Sequence, residues 1–487
     1  MKLQSQNVTE TGLNIEKPPL VVDLDGTLIQ TDLLLETALA FIARYPFQAY
    51  KLVVWAFAGK QVLKHRIAQH IEIDADTLPY NAQVLTHLEA SAGSRKIYLS
   101  SASNEKYVRQ VYDHVGLFDG YMGSDEAVNN SKGNKITRLK TEYNCERFDY
   151  IGNAHDDLRV WNAAEAAIAV NVNGSVRSAL LKTKPGATFL GADDKPGKPW
   201  KPYVKMLRPH QWAKNTLVFV PLLMSHAITL PSVFLALLAF VSFSLCASSV
   251  YILNDLLDIT ADRQHPTKRK RPFAAGTIPV TTGALIGVGL LLAAFGIGLF
   301  ISPMFLAILA LYYAMTNAYS FLLKRKLMID VVTLAGLYAT RLLAGAYALS
   351  IPISEWLLAF AVFMFLSLAL IKRHSEMAMR LDAGLADPTN RGYRITDLPA
   401  LIALAAAAGY SAVIVFSLYI GHPDITILYH HPRRLYLACP LLLYWISRAV
   451  MMSHRRDMHD DPVVFALRDR VSLITLALIG AVGLAAL

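Results

Sequence analysis

Apolar residues crowd the second half of the chain. Near 231–253, 280–300, 303–323, 328–348, 355–372, 398–421, 433–452 and 470–487 they run long enough to cross a bilayer as helices. A shorter run near 213–229 predicts a ninth span. Lys and Arg gather in alternate loops, at 262–272, 324–326, 372–394 and 454–470, whereas SHAITLPS and ALSIPISE carry almost none. That bias assigns the basic loops to the cytoplasm, with 422–434 (Arg433, Arg434) as the exception. An odd number of spans then predicts a cytoplasmic N-terminus and a C-terminus outside. Residues 1–197 are an ordinary soluble mixture, and GADDKPGKPWKP (191–202) is a Gly/Pro/Lys-rich boundary. The plan is therefore a soluble unit at 1–190, a linker at 191–206 and a membrane unit at 207–487.

Composition sharpens this plan. At 487 residues, 54% hydrophobic and only 17% charged, the chain suits a multi-pass membrane protein. A net charge of +10 would suit nucleic acid, but its clustering in loops between apolar runs is explained by topology, so no nucleic-acid partner is expected. Cys145, Cys246 and Cys439 lie far apart, which excludes a disulfide framework or a zinc site. The first twenty residues are polar and lack the apolar core of a secretory signal. A bacterial-type inner membrane with the soluble unit inside is the expected location.

Chemistry concentrates in YILNDLLDITADRQHPTKRKRPFAAG (251–276). Asp255, Asp258 and Asp262 are spaced i, i+3, i+7 and share one face if the helix continues, with Asn254 beside Asp258. A carboxylate row holds hard divalent cations, and Mg²⁺ bridges such carboxylates to phosphate oxygens. Arg263, Lys268 and Arg271 then supply charge for phosphate that the metal leaves unneutralised.

This stretch resembles the first signature of the UbiA superfamily, intramembrane enzymes that transfer prenyl groups from diphosphate donors. LRPHQWAKN (207–215) looks like that family's opening segment. The resemblance implies a nine-helix bundle with its cavity open toward the cytoplasm. The family's second Asp-rich signature is replaced here by LALIKRHSEMAMRLDAG (368–384), where Lys372, Arg373 and Glu376 stand in for carboxylates. Direct cationic binding of phosphate is expected in place of a second metal cluster. That substitution is similar to the decaprenyl-phosphate phosphoribosyltransferase branch, as are Tyr319, Ser320, Lys324 and Asp330, the Arg341-x-x-Ala344-Gly345 element, and HDDPVVFALRDR (459–470). The branch implies phosphoribosyl pyrophosphate as donor and a polyprenyl phosphate as acceptor. Asn254, Lys324, Arg341, Lys372, Arg373 and Glu376 are the expected substrate contacts, with Asp255, Asp258 and Asp262 on Mg²⁺. His265 and His374 are read as loop histidines, because the acceptor phosphate is already ionised and needs no base.

The soluble unit has its own motif. PPLVVDLDGTLIQTD (18–32) is a short buried strand running into D-x-D-G-T, with Asp23 at the strand end and Gly26 turning Asp25 back beside it. Two carboxylates so placed suit an aspartyl-phosphate mechanism, Asp23 attacking phosphorus and Asp25 protonating the leaving oxygen. This resembles the haloacid dehalogenase-like phosphatases: KIYLSSAS offers Ser101 as phosphate-holding hydroxyl, NNSKGNKI offers Lys132 with Lys135 as lesser candidate, and FDYIGNAHDDLRVWNAA matches the metal motif. The family fold is an α/β Rossmann-like sheet with a helical cap, here near 32–95. Its last motif departs at Asn153, where an amide replaces the usual carboxylate; Asp157 is the better of two neighbouring acids to compensate. Mg²⁺ is expected here as well, held by Asp23, Asp25, Asn153 and Asp157.

Joined in one chain, the two activities would yield polyprenyl-phosphoryl ribose stripped of its 5-phosphate. Three other readings stand beside this one: an aromatic prenyltransferase, a soluble unit that only binds and regulates, and a transporter. The absent second Asp motif weighs against the first, and the lack of a charged track through the helices against the last.

Overall fold

The computed structural model describes residues 17–191, 200–226, 228–265, 267–388, 391–423, 425–458 and 462–487. Half of the expected linker (192–199) and three residues of the final acidic loop (459–461) lie outside these. The chain forms two compact units. One holds the described residues up to Tyr203 together with Asp255–Gly283; the other holds Val204–Asn254 and Ala284–Leu487. The acidic motif therefore packs with the N-terminal unit, although the sequence places it between membrane spans.

The N-terminal unit is built on six parallel strands, β1 (Leu20–Val22), β2 (Ile97–Asn104), β3 (Gly120–Ser124), β4 (Asp149–Gly152), β5 (Ala167–Val170) and β6 (Thr188–Leu190), ordered β3-β2-β1-β4-β5-β6. Strand β1 is sandwiched, Val22 pairing with Leu99 on one side and Ile151 on the other. Being covered on both faces, it reads as an unbroken apolar run, LVV, rather than an alternation. The chain winds outward from β1 to β3, then returns to β4. That reversal leaves a crevice beyond the carboxyl ends of β1 and β4, where open parallel sheets hold their ligands. The connection from β1 to β2 is the helical insert expected from sequence, containing α1 (Leu33–Arg44), α2 (Tyr50–Phe57) and α3 (Lys60–His70).

Among the described residues seven helices, all or mostly in the second unit, are long and apolar enough to span a membrane: Leu230–Leu257, Val280–Ile301, Pro303–Phe321, Ile329–Leu349, Glu355–Asp382, Ile395–Ile420 and Pro432–His454. An eighth arises if Pro462–Arg468 and Arg470–Ala486, bent by 80°, form one span. Nine spans are not found among the described residues. The missing one, near 213–229, is a 3-10 run (Pro209–Phe219) ending in the five-residue helix Val220–Met224. Asn215 is buried and hydrogen-bonded sideways within that run, and Pro221 offers no amide donor, so a long α-helix gains little there.

Candidate functional sites

At the end of β1 the crevice receives two carboxylates in separate hydrogen-bond networks. Asp23 is buried, and its Oδ1 lies 2.5 Å from Lys135 Nζ. Lys135 also donates to the Tyr150 hydroxyl at 2.9 Å, and that hydroxyl donates to Asp157 Oδ1 at 2.7 Å. Burial, with the nearby charges of Asp157 and Asp25, pushes the Asp23 carboxyl up to about 7 despite the opposing pull of Lys135. Burial alone would lower the Lys135 ammonium, but Asp23 and Asp157 outweigh it and hold its pKa above the usual lysine value. Asp25 faces the other way. Its Oδ2 accepts Ser101 Oγ at 3.0 Å and Ser103 Oγ at 2.7 Å, and its Oδ1 accepts the Leu33 amide at 2.8 Å. Burial and then Asp32 raise its pKa, and these hydrogen bonds only partly offset them. A buried carboxyl that holds its proton more tightly than usual suits a general acid.

Several expected roles move to other residues. Lys135, rather than Lys132, meets Asp23: it lies one turn into the helix Gly133–Tyr143 and is 4% exposed, whereas Lys132 caps that helix from outside and pairs with exposed Asp156 at 3.2 Å. The Ser101 hydroxyl is spent on orienting Asp25. Asn153 packs against the D-x-D-G turn so closely that a Cβ on Gly26, whose φ is +74°, would lie 2.1 Å from the Asn153 amide nitrogen. Asp157 accepts the Asn153 and Ala154 amides at 3.0 and 2.9 Å, so its carboxylate fixes the loop carrying Asn153. No motif points to Lys64 of α3. Its ammonium is buried on the Ala102 carbonyl (2.6 Å) and Asn129 (3.0 Å), and burial lowers its pKa against the pull of Asp25 and Asp32. Only folding α3 back over β2 brings it there.

The acidic motif is reorganised too. The helix Leu230–Leu257 stops before Asp258, which takes φ −98°, ψ 10° and leads into the short helix Ile259–Gln264. The three aspartates thus do not share one continuous helical face. Asp255 and Asp262, each 3% exposed, instead converge on a single atom, Arg271 Nη1, at 3.0 and 2.6 Å, while Asp258 is exposed. Two hard-oxygen carboxylates closing on one positive charge fit a divalent ion of the Mg²⁺ type. Among the described residues no three His, Cys, Asp or Glu side chains converge, so such an ion would complete its shell with substrate and water oxygens. Arg263 does not join this cluster. It is buried in a two-pronged ion pair with Glu36 of α1 (2.9 and 2.5 Å) and donates to the Ala274 carbonyl at 3.1 Å. Lys268 is exposed in a 3-10 turn, and Asn254 is half-buried in the last turn of its helix.

The membrane unit contains two buried guanidinium groups with different surroundings. Arg373, fully buried, lies 2.9 Å from Asp330 in a charge contact without hydrogen-bond alignment, and it also pairs with Glu376. Tyr393 donates to Asp330 at 2.5 Å, and Arg391 stands 3.8 Å away. Arg373 therefore has carboxylates as charge partners, while its Nε and Nη2 and Asp330 Oδ2 make no hydrogen bond. Arg341 is 5% exposed, and its partners are neutral: Asn215 Oδ1 at 2.9 Å, the Leu337 carbonyl, the Tyr312 hydroxyl at 3.4 Å and the rings of Phe243, Tyr312 and Tyr338. Among the described residues no carboxylate reaches it. The Arg-x-x-Ala-Gly element gains a physical reason here. Gly345 lies one turn beyond Arg341, where a Cβ would stand 2.1 Å from the Val218 carbonyl, so only glycine lets the 3-10 run approach and deliver Asn215. Lys324, in the 3-10 turn Leu323–Arg325, and Lys372, within Glu355–Asp382, are both half-buried. His374 is a buried helical residue bonded to Ser453 at 2.8 Å, not a loop histidine.

Comparison with known proteins agrees with these features. The model of the UbiA prenyltransferase family matches residues 216–476, just over half of the chain. The uncharacterized protein y4nM of Sinorhizobium fredii is 36% identical over 467 residues, 95% of this chain and 90% of its own length. The nodulation protein NoeC of Azorhizobium caulinodans is 36% identical over 57% of this chain and 90% of its own length. The decaprenyl-phosphate phosphoribosyltransferase of Mycobacterium tuberculosis is 33% identical over 58% of this chain and 93% of its own length. With its apolar helices, its paired motif carboxylates and a match across most of its second half, the chain belongs to the UbiA prenyltransferase family.

Proposed function

We propose that the chain transfers 5-phosphoribose from phosphoribosyl pyrophosphate to a polyprenyl phosphate, and that its N-terminal unit then removes the 5-phosphate. The observation that carries the first step is Arg341. A buried cation facing only neutral groups is costly unless an anion joins it, and a phosphate fits its planar donor fork. The kinship to a named phosphoribosyltransferase at 93% of that protein's length supports the same substrates.

The reaction needs positioning more than acid–base help. An oxygen of the lipid phosphate attacks C1 of the sugar, the C1–O bond breaks, and its electron pair leaves with pyrophosphate; no proton has to move. Arg341 holds phosphate charge through the step, and Asp255 and Asp262 would hold the metal. Magnesium, when bound here or beside Asp23 and Asn153, supplies charge neutralisation on the phosphate oxygens. In the second step Asp23 attacks the 5-phosphate and the P–O bond to ribose breaks. Asp25 gives its proton to the departing ribose oxygen, then recovers one from the water that hydrolyses the aspartyl phosphate. Lys135 orients Asp23 throughout, and Lys64 supplies a second cation from the insert.

The test uses the purified chain with Mg²⁺, polyprenyl phosphate and phosphoribosyl pyrophosphate, followed by mass spectrometry of the lipids. Lipid-linked ribose from the natural chain, and the same lipid retaining a phosphate from Asp23→Asn, are the expected outcomes. Phosphorylated product from both would remove the second step. No lipid-linked pentose from either, with product formed instead from prenyl diphosphate and an aromatic acid, would replace the first.

A further inference from the structure

Neither proposed reaction accounts for one surface of the N-terminal unit. Helix α2 (Tyr50–Phe57) is apolar on both sides. Inward, Trp55 packs against Phe41 and His70 with ring centroids 5.3 and 5.7 Å apart. Outward, Tyr50, Val53, Val54 and Phe57 are 63%, 58%, 58% and 89% exposed, and Phe47 of the preceding turn is 80% exposed. Positions 47, 50, 54 and 57 recur every three or four residues, so these side chains form one ridge. Soluble surfaces rarely gather apolar groups in this way unless something covers them.

The charges around the ridge say what covers it. Between Glu36 and Glu72 the chain has no Asp or Glu, while Arg44, Lys51 and Lys60 flank the ridge. Among its described residues the same chain carries seven helices able to span a bilayer, so a lipid surface is always within covalent reach. An aromatic-rich apolar ridge whose own segment carries cations and no carboxylate has the composition that partitions into an anionic headgroup layer, Glu126 reaching only His65 and Arg66 of α3. A second copy of the chain would bring the same cationic rim against itself, which repels. We infer that α2 and the turn before it dock the N-terminal unit onto the anionic face of the membrane that the chain spans. Phe47, Tyr50 and Phe57 enter the interface, and Arg44, Lys51 and Lys60 sit at phosphate level. Docking holds the insert over β1 at the lipid surface.

The full chain with Phe57→Cys, labelled with an environment-sensitive fluorophore in nanodiscs containing nitroxide-tagged lipids, tests this. Cys145 and Cys246 are buried, and the parent chain sets the background from Cys439. With about a third of the lipids anionic, quenching at position 57 is expected to exceed that of a label at exposed Lys182 by about threefold. Adding Val54→Glu, or about 0.5 M salt, should bring it down toward the Lys182 control. Equal quenching at both positions overturns the proposal. So does shielding of position 57 from aqueous iodide that occurs only in discs holding two chains, which would give the ridge to a second copy. None of these readouts involves catalysis, so the inference stands or falls apart from the proposed reactions.

Discussion

Arg341 and Asp23 show how single residues are tuned by what surrounds them. A buried guanidinium without a carboxylate contributes little to stability, and replacing such a charge with an apolar group of similar size is often neutral or stabilising. Arg341→Met is therefore expected to leave the melting temperature unchanged or raised while cutting sugar transfer by at least about 10²-fold, the scale of losing one preorganised phosphate donor. A melting temperature that falls with activity would assign Arg341 a structural role instead. Asp23 makes a pH prediction. Its carboxyl must lose a proton before it can hold a metal or attack phosphorus, and its pKa stands at about 7. Below that value protons compete with Mg²⁺, so the Mg²⁺ needed for half-maximal phosphate release should rise by up to about tenfold per pH unit, and level off above it. A requirement that stays flat between about pH 5.5 and 7 contradicts the buried placement of Asp23. At this scale the sequence named Asp23, Asp25 and Arg341 because short motifs place them. It put Lys132 ahead of Lys135 and passed over Lys64, because the direction of a lysine on a helix is set by packing and not by spacing.

Whole elements are tied together by contacts that no motif reveals. Glu36 opens α1, the helix whose Leu33 amide holds Asp25, and it meets Arg263 in the short helix that carries Asp262. Both partners are buried, at 8% exposure each. Breaking such a pair strands a charge, so Glu36→Gln is expected to cost about 3–5 kcal/mol. Combining Glu36→Gln with Arg263→Met should recover most of it, as read by thermal unfolding of the four chains of the cycle; additive losses would show that the pair is not coupled. Gly345 is a second tie. Gly345→Ala forces the helix Ile329–Leu349 and the run holding Val218 apart, which removes Asn215 from Arg341. Overpacking of this kind costs about 1–3 kcal/mol, and it should lower transfer in step with Arg341 substitutions while leaving phosphate release from soluble esters intact. The apolar runs located seven spanning helices directly. The ninth expected span failed because run length in a hydropathy pattern does not register that Asn215 and Pro221 redirect the backbone.

For the whole molecule, the consequence is that the acidic motif and the D-x-D-G-T crevice belong to one compact unit. A product released near one is at high effective concentration for the other. Mixing an Asp23→Asn chain with an Arg341→Met chain should therefore yield dephosphorylated lipid far more slowly than the natural chain at equal dilute concentration, by roughly 10²-fold on effective-concentration arithmetic. Equal rates would mean that the phosphorylated lipid diffuses freely between chains. The sequence by itself determined an N-terminal stretch of mixed composition followed by helices apolar enough to span a membrane, the D-x-D-G-T turn at a strand end, and an acid-rich motif beside basic residues. Those follow from local periodicity, turn chemistry and charge, which are written residue by residue. Only the tertiary structure decided that Asp255 and Asp262 close on Arg271 while Asp258 turns away, that Arg263 serves Glu36, and that Lys135 and Lys64 are the cations of the crevice. Each of those outcomes depends on which buried charge finds which partner, and that competition is settled by burial and three-dimensional proximity across tens to hundreds of residues.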